Sequence, residues 1–441
     1  MVIQRVSNIK YTETIPHRNN VYSSSNVQVT RLNIGLTIIT ETKPHSPSAG
    51  INIFVNVGSV YEDDKTSGAT HFLEHMVFRR TKNRTGRQIS EEAARAGASI
   101  NAATSEEYTH YFTEVLSENV TVPTLIYLDM LLNNSIDKKE FNIEKGAVLE
   151  EAKTDEDTPE DRIATLAQET YFKGHPYGRR IIGTQETISR MRVDDLERFS
   201  REHYTPDNMC VSIAGNIDGD KEIKEIEKIT SHITRKIKRQ DIPPLQLNIE
   251  NAIEDMKIQQ AHIVLLSKAY SISDEKKNVL DVLDQAFGSD VSSRLFTNIR
   301  DKTGYCYSIS SKANSCSFGG DFTVYGGFRK DKAQEGIELI LNEMRKIRKN
   351  GLTPDELERA KILLRTETTT KREANISSSY INGYNYILSG HLVPIEEIDG
   401  KIKLITNEQI IEVANEVFNP AFLAAYIVGP KRNLPKRIDI R

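Results

Sequence analysis

The sequence predicts an α+β protein with two homologous sandwich domains, each with an antiparallel sheet packed against helices. Three observations lead to this class. Period-two runs of β-branched and aromatic residues alternate with segments of helical period. The same order of elements recurs in the second half of the chain. A length of 441 residues is too great for one ordinary domain but suits two of roughly 200 each.

In chain order, 27–32 and 36–40 alternate as strands around a turn at 33–35, and Ile51, Ile53, Val55 and Val57 mark one face of a third. Helices are expected over 68–78 and over 88–96, the second stopping at Gly97. Strands over 98–103 and 108–115 follow, then helices over 119–133 and 138–153, and 210–214 closes this half as a strand. The polar segment around Pro243 and Pro244 is the linker, placed at 236–255. Beyond it, 260–266 corresponds to the strand at Ile51, and 277–287 takes the place of the 68–78 helix. The pairs 307–312 with 320–325 and 332–348 with 354–366 repeat the strand pair and the helix pair. The domains are therefore drawn at 29–235 and 256–441. Residues 1–28 hold Arg5, Lys10 and Arg18 against one acid, Glu13, which suits either an N-terminal arm or a targeting segment.

Composition narrows the function classes. Apolar content of 38% and charged content of 27% are ordinary for a globular chain, and a net charge of −4 gives no general attraction to nucleic acid or anionic membrane. No apolar run is long enough to span a bilayer. Three cysteines, Cys210, Cys306 and Cys316, argue against a disulfide framework and for a reducing compartment. The expected location is the cytoplasm, or the matrix of a mitochondrion or related organelle if residues 1–28 address the chain there.

The chemistry is concentrated in His71-Phe72-Leu73-Glu74-His75. On a helix, residues four apart lie one above the other, so His71 and His75 converge on one ion with Glu74 beside them. Neutral imidazoles bind zinc, and a neighbouring carboxylate takes the proton from a metal-bound water. A hydrolytic zinc site commonly has a third protein ligand. The helix over 138–153 offers one, because Glu144 and Glu151 lie two turns apart on one face, beside Val148. Such a pair suits one ligand and one supporting carboxylate.

Together these segments resemble the pitrilysin/insulinase family of zinc peptidases (family M16), in the shorter branch that contains the mitochondrial processing peptidase β subunit and its bacterial relatives. The resemblance runs from residue 29 to about 430. It implies one Zn²⁺ per chain, held by His71, His75 and Glu151 rather than Glu150, with Glu144 in support and Glu74 as the proton carrier. It also implies that Arg300 and Tyr307, in a segment similar to the family's Leu-Arg-x5-Ala/Gly-Tyr signature, donate hydrogen bonds to the substrate carbonyl. Tyr305 competes with Tyr307 on sequence alone. Asn101 and Ala102 match the family's Asn-Ala-x-Thr strand, whose edge pairs with extended peptides. Phe78 is a further candidate, for the pocket of the residue after the cut.

The expected activity is that of a zinc endopeptidase removing targeting peptides, with general trimming of oligopeptides as the alternative and a non-catalytic scaffold less favoured. The expected assembly is a homodimer, or a heterodimer with a related subunit. Two departures from the family border the cleft: Phe78-Arg79-Arg80-Thr81 where relatives often have Phe-Lys-Gly-Thr, and Ala103 where they have tyrosine. The acids Asp155, Glu156, Asp157, Glu160 and Asp161 either read arginines of a targeting peptide or form a solvated helix start.

Overall fold

Alternating runs of apolar residues pair into two sheets, one from each half of the chain. The computed structural model describes residues 18–23, 26–234, 236–237, 240–435 and 437–440. The first half contains β1 (Arg18–Ser23), β2 (Val27–Leu32), β3 (Thr37–Thr42), β4 (Ser48–Val55), α1 (Ala69–Val77), α2 (Gly86–Arg95), β5 (Asn101–Thr104) and β6 (Thr109–Leu116). Then come α3 (Thr121–Leu132), α4 (Lys138–Asp157), α5 (Pro159–Tyr171), α6 (Gln185–Arg190), α7 (Val193–His203), β7 (Met209–Gly215) and α8 (Gly219–Thr230). The second half contains β8 (Ala252–Asp255), β9 (Gln260–Lys268), α9 (Lys277–Asp284), β10 (Cys306–Cys316), β11 (Gly319–Arg329), α10 (Ala333–Asn350) and α11 (Pro354–Lys371). It ends with α12 (Asn375–Ser389), α13 (Ile395–Leu404), α14 (Asn407–Val417) and β12 (Ala424–Gly429).

The chain divides into two compact units, and neither is continuous in sequence. Unit 1 takes Met1–Glu150, Ile181–Asp241 and Thr370–Leu392; unit 2 takes Glu151–Arg180, Ile242–Thr369 and Val393–Arg441. This differs from the expected boundaries of 29–235 and 256–441. The segment bearing α5 belongs with the second sheet, and the segment bearing α12 belongs with the first.

In unit 1 the strand order is β1-β2-β3-β7-β4-β6-β5. Ile51 pairs with Ile213 and Asn101 with Phe112. β4 is buried from Ala49 to Val55 because α12 covers one of its faces. Gly50 permits that approach: a Cβ there would lie 2.3 Å from the backbone of Ile376. The contact is unusually polar. Asn52 Nδ2 donates to Ile376 O at 3.0 Å and Ser379 Oγ at 2.9 Å, and buried Glu41 accepts from Ser378 and Asn382, both at 2.7 Å. Beside these bonds sits a core of Val29, Ile39, Phe54, Tyr108 and Cys210, against which Tyr380 and Tyr384 pack.

In unit 2 the order is β10-β11-β9-β12-β8. Its core includes Leu280, Leu283, Phe287, Phe322, Ile340 and Phe418. α5 lies on β9 and β12. There Tyr171 donates its hydroxyl to Phe422 O at 2.6 Å, and Arg162 forms a two-pronged ion pair with Glu254. The five strands repeat β5-β6-β4-β7-β3 in order and in sense, as an internal duplication requires.

The α+β class is as expected, two sheets packed against helices, although one strand pair in each sheet is parallel. β7 runs parallel to β3, and β12 parallel to β8, because each closing strand returns after a long helical crossover. The expected linker is also partly structured, since Ala252–Asp255 forms β8. At the N-terminus, Arg18–Ser23 pairs with β2 as a strand; the rest of the expected arm, 1–17 with 24 and 25, lies outside the described residues. In the duplicate of the histidine helix, α9 ends at Asp284 and widens into a π-helical turn over Gln285–Ser289.

Candidate metal centre

α1 is amphipathic. Phe72, Leu73, Met76 and Val77 are buried, while His71, Glu74 and His75 share the half-exposed face. Its start is set by Gly68, at φ +91°, where a Cβ would lie 2.6 Å from Ile182 O. Buried Glu62 then accepts from the backbone N–H groups of Gly68 at 2.8 Å and Thr70 at 2.7 Å. These are donors that a helix start leaves without intrahelical partners. The cap fixes the turn immediately before His71.

The rings of His71 and His75 stand 4.8 Å apart between centroids. α4 brings Glu151 to them: one donor atom from each of His71, His75 and Glu151 lies within 4.8 Å of the others. Two imidazoles and a carboxylate form the donor set of a hydrolytic zinc site. Burial, followed by the charge of His75, pushes the His71 imidazole down to about 4, so its ring is neutral with a lone pair to offer. The sequence-predicted ligands are therefore gathered in one place. Glu150 is exposed on the same helix and lies outside this cluster.

Glu144, one helical face with Glu151, is buried. Its Oε2 lies 3.3 Å from His75 Nδ1, and its Oε1 accepts from Arg79. A carboxylate on Nδ1 directs the other ring nitrogen of a histidine toward a metal.

Glu74 is held by a residue from β5: Thr104 donates its hydroxyl to Glu74 Oε2 at 2.5 Å. Tyr111 and Tyr204 are fully buried nearby, with their hydroxyls 2.8 Å apart. Burial, then mutual interaction and the charge of Glu74, hold Tyr111 well above the usual phenol range; burial does the same to Tyr204. Both remain neutral. Arg79, Thr104, Tyr111, Tyr204 and Glu62 are contacts that the sequence reading missed. For Thr104 the signal is the Asn-Ala-x-Thr pattern, which on sequence alone marks a peptide-pairing edge strand and not a contact to Glu74.

β5 is the last strand of its sheet, paired with β6 alone among the described strands. Asn101 is exposed on it and Ala102 half-buried. Tyr127 hydroxyl fastens its inner side, bonding Asn101 N at 3.0 Å and Phe112 O. Phe78, just past α1, is half-buried with its ring 6.2 Å from that of Tyr111.

Within unit 2, Arg300 and Tyr307 are brought together. Arg300 lies on the π-helical turn Phe296–Asp301, its guanidinium 4.3 Å above the Phe296 ring, and its Nε donates to Tyr307 O at 2.8 Å. Tyr307 is 79% exposed. Tyr305 instead packs against the core beneath Lys332, which favours Tyr307 as the residue available to a ligand.

Comparison with known proteins gives a consistent answer. Residues 37–185 match the family described as insulinase (peptidase family M16), and residues 190–364 match the peptidase M16 inactive domain. An uncharacterized zinc protease of Bacillus subtilis, YmxG, is 31% identical over 91% of this chain and 98% of its own length. One from Rickettsia bellii is 33% identical over 92% and 98%. A protease from Helicobacter pylori superposes with a TM-score of 0.86 at 20% identity, covering 92% of this chain and 99% of that one, which bears on the fold alone. The chain belongs to peptidase family M16.

Proposed function

We propose that this chain is a zinc endopeptidase acting on extended peptides, with His71, His75 and Glu151 as metal ligands and Glu74 as proton carrier. The observation that carries this reading is the convergence of those three donors beside Glu74 on one helical face. The names of its relatives, uncharacterized zinc proteases, support it. Zinc in such a site would acidify a water molecule and polarise the substrate carbonyl.

The protein's own groups perform the remaining work. Glu74 accepts the proton of the attacking water and returns it to the leaving amine. Thr104 holds one oxygen of that carboxylate and so fixes its orientation. Glu144 sets the His75 ring. Asn101 and Ala102 on the free edge of β5 take the main chain of the substrate by strand addition, and Phe78 contacts the side chain after the cut. Arg300 and Tyr307 donate to the carbonyl oxygen as charge develops on it. Because the chain carries both the metal set and this pair, the reading requires no second subunit.

Removal of targeting peptides is the narrower version. It is supported by exposed Asp157, Glu160 and Asp161, acids that suit arginine-bearing peptides. It is weakened by Glu156, which already pairs with Arg180 at 3.0 Å. General peptide trimming rests on β5, which reads main chain regardless of side chains. A basic amphipathic presequence cleaved at least tenfold more efficiently than a neutral peptide of equal length would support the narrower version; equal rates would support the broader one.

The central test is Glu74→Gln. Activity should fall by 10²-fold or more, the order typical of lost general base catalysis, with zinc content unchanged. A fully active variant, or wild-type protein that retains no zinc, would overturn the assignment.

A further inference from the structure

We propose that Arg79 is a positioning residue for His75, acting through Glu144. The inference rests on the zinc reading above and deepens it. Glu144 is a buried carboxylate whose two oxygens are separately engaged, Oε2 with His75 Nδ1 at 3.3 Å and Oε1 with the Arg79 guanidinium. A carboxylate taken out of water needs charge or hydrogen bonds on both oxygens to keep one orientation. His75 occupies one; Arg79 is the cation on the other. Release of Oε1 would let the carboxyl rotate about its terminal bond and loosen its hold on the imidazole.

The neighbouring arginine provides an internal comparison. Arg80 also reaches α4, where its Nε and Nη2 lie 3.2 and 3.3 Å from the carboxylate of Glu140. Glu140 and Glu144 are one turn apart, so the two consecutive arginines grip the same helix. Only Glu144 touches His75. Arg80 and Glu140 are both partly exposed, whereas the Arg79 pair has a buried carboxylate, and a pair reached by water on both sides contributes little. If the arginines merely clasp α1 to α4, the two should matter alike. In the relay, only Arg79 matters for the metal. Arginine also suits this place better than the lysine common in the family. Its planar fork can hold a carboxylate oxygen in a fixed direction, whereas an ammonium is a freely rotating point charge.

The test is zinc affinity of the full-length protein, stripped of metal and titrated in competition with a chromophoric chelator. Arg79→Gln should bind zinc about 10-fold or more weakly, the scale seen when a hydrogen-bond partner of a ligating histidine is lost. Arg79→Lys, which keeps the charge but not the planar fork, should recover part of that loss. Arg80→Gln should stay within about twofold of wild type, the small effect of a partly exposed pair. Because Arg79→Gln removes the cation beside a buried carboxylate, the metal-free variant should melt somewhat below wild type, and affinity is compared well below that transition. Cobalt-substituted Arg79→Gln should show a shifted visible spectrum, a change in the ligand field that a loss of stability alone would not produce. Wild-type affinity in Arg79→Gln, or equal weakening by Arg79→Gln and Arg80→Gln, would overturn the relay. Wild-type protein that binds no zinc would overturn the reading beneath it as well.

Discussion

Thr104 and Glu74 lie 30 positions apart in the chain and 2.5 Å apart in space. That separation explains what the sequence could reveal at the residue scale. The spacing of His71, Glu74 and His75 is a statement about one helix, and helical geometry alone puts them on one face. Glu144 and Glu151 are legible for the same reason. The contacts of Thr104, Arg79 and Glu62 depend on how separate elements pack, and no periodicity encodes that. A consequence can be measured. A hydrogen bond to a charged group contributes about 1.5–3 kcal/mol, so losing the one from Thr104 should lower kcat by roughly 10- to 100-fold. Thr104→Val should show this loss with KM and zinc content nearly unchanged, while Thr104→Ser, which keeps the hydroxyl, should restore most of it. A Val variant with wild-type kcat would mean that Glu74 is oriented without Thr104.

Among the elements, the start of α11 shows how a helix terminus is tied to the segment that carries Arg300. Glu356, in the first turn, accepts from Thr353 N at 2.7 Å and takes a two-pronged grip from Arg294, both bonds at 2.7 Å. Burial alone would raise this carboxyl, but the bonds from Arg294 and Thr353 outweigh it and bring it down to about 2. A carboxyl depressed on folding stabilises the protein above its unfolded value, near 4.5, and that contribution disappears as pH falls through its folded value. Glu356→Gln should therefore melt below wild type at pH 7, by about 2–4 °C for a pair contributing about 1 kcal/mol. The gap should close between about pH 4.5 and pH 2. A gap of constant size across that range would show that ionisation of Glu356 has no part in it. A helix beginning at Pro354 was legible in the sequence; the reach of Arg294 to its first turn was not.

For the molecule as a whole, the strand patterns and the repeat were legible because each sheet is built from alternating segments of one half. The exchange of α5 and α12 was not. Their sequences specify helices but carry no mark of which sheet they cover, and proximity along the chain points to the wrong one. The exchange has a physical consequence for any attempt to separate the halves. Without α12, the unit 1 sheet would expose Phe54, Ile39 and Val29 and leave buried Glu41 without its Ser378 and Asn382 donors. Lost burial of such large apolar side chains costs about 1.5–3 kcal/mol each, together a large share of the roughly 5–15 kcal/mol that holds a domain folded. A fragment ending at residue 241 should therefore give no cooperative thermal transition and should bind a hydrophobic dye. A fragment from 242 onward, lacking α5 over β9 and β12, should behave likewise. Mixed during refolding, the two should recover a cooperative transition, because each supplies the helix the other needs. An isolated first fragment that melts cooperatively and binds no dye would show that α12 is dispensable, and that the units are continuous halves after all.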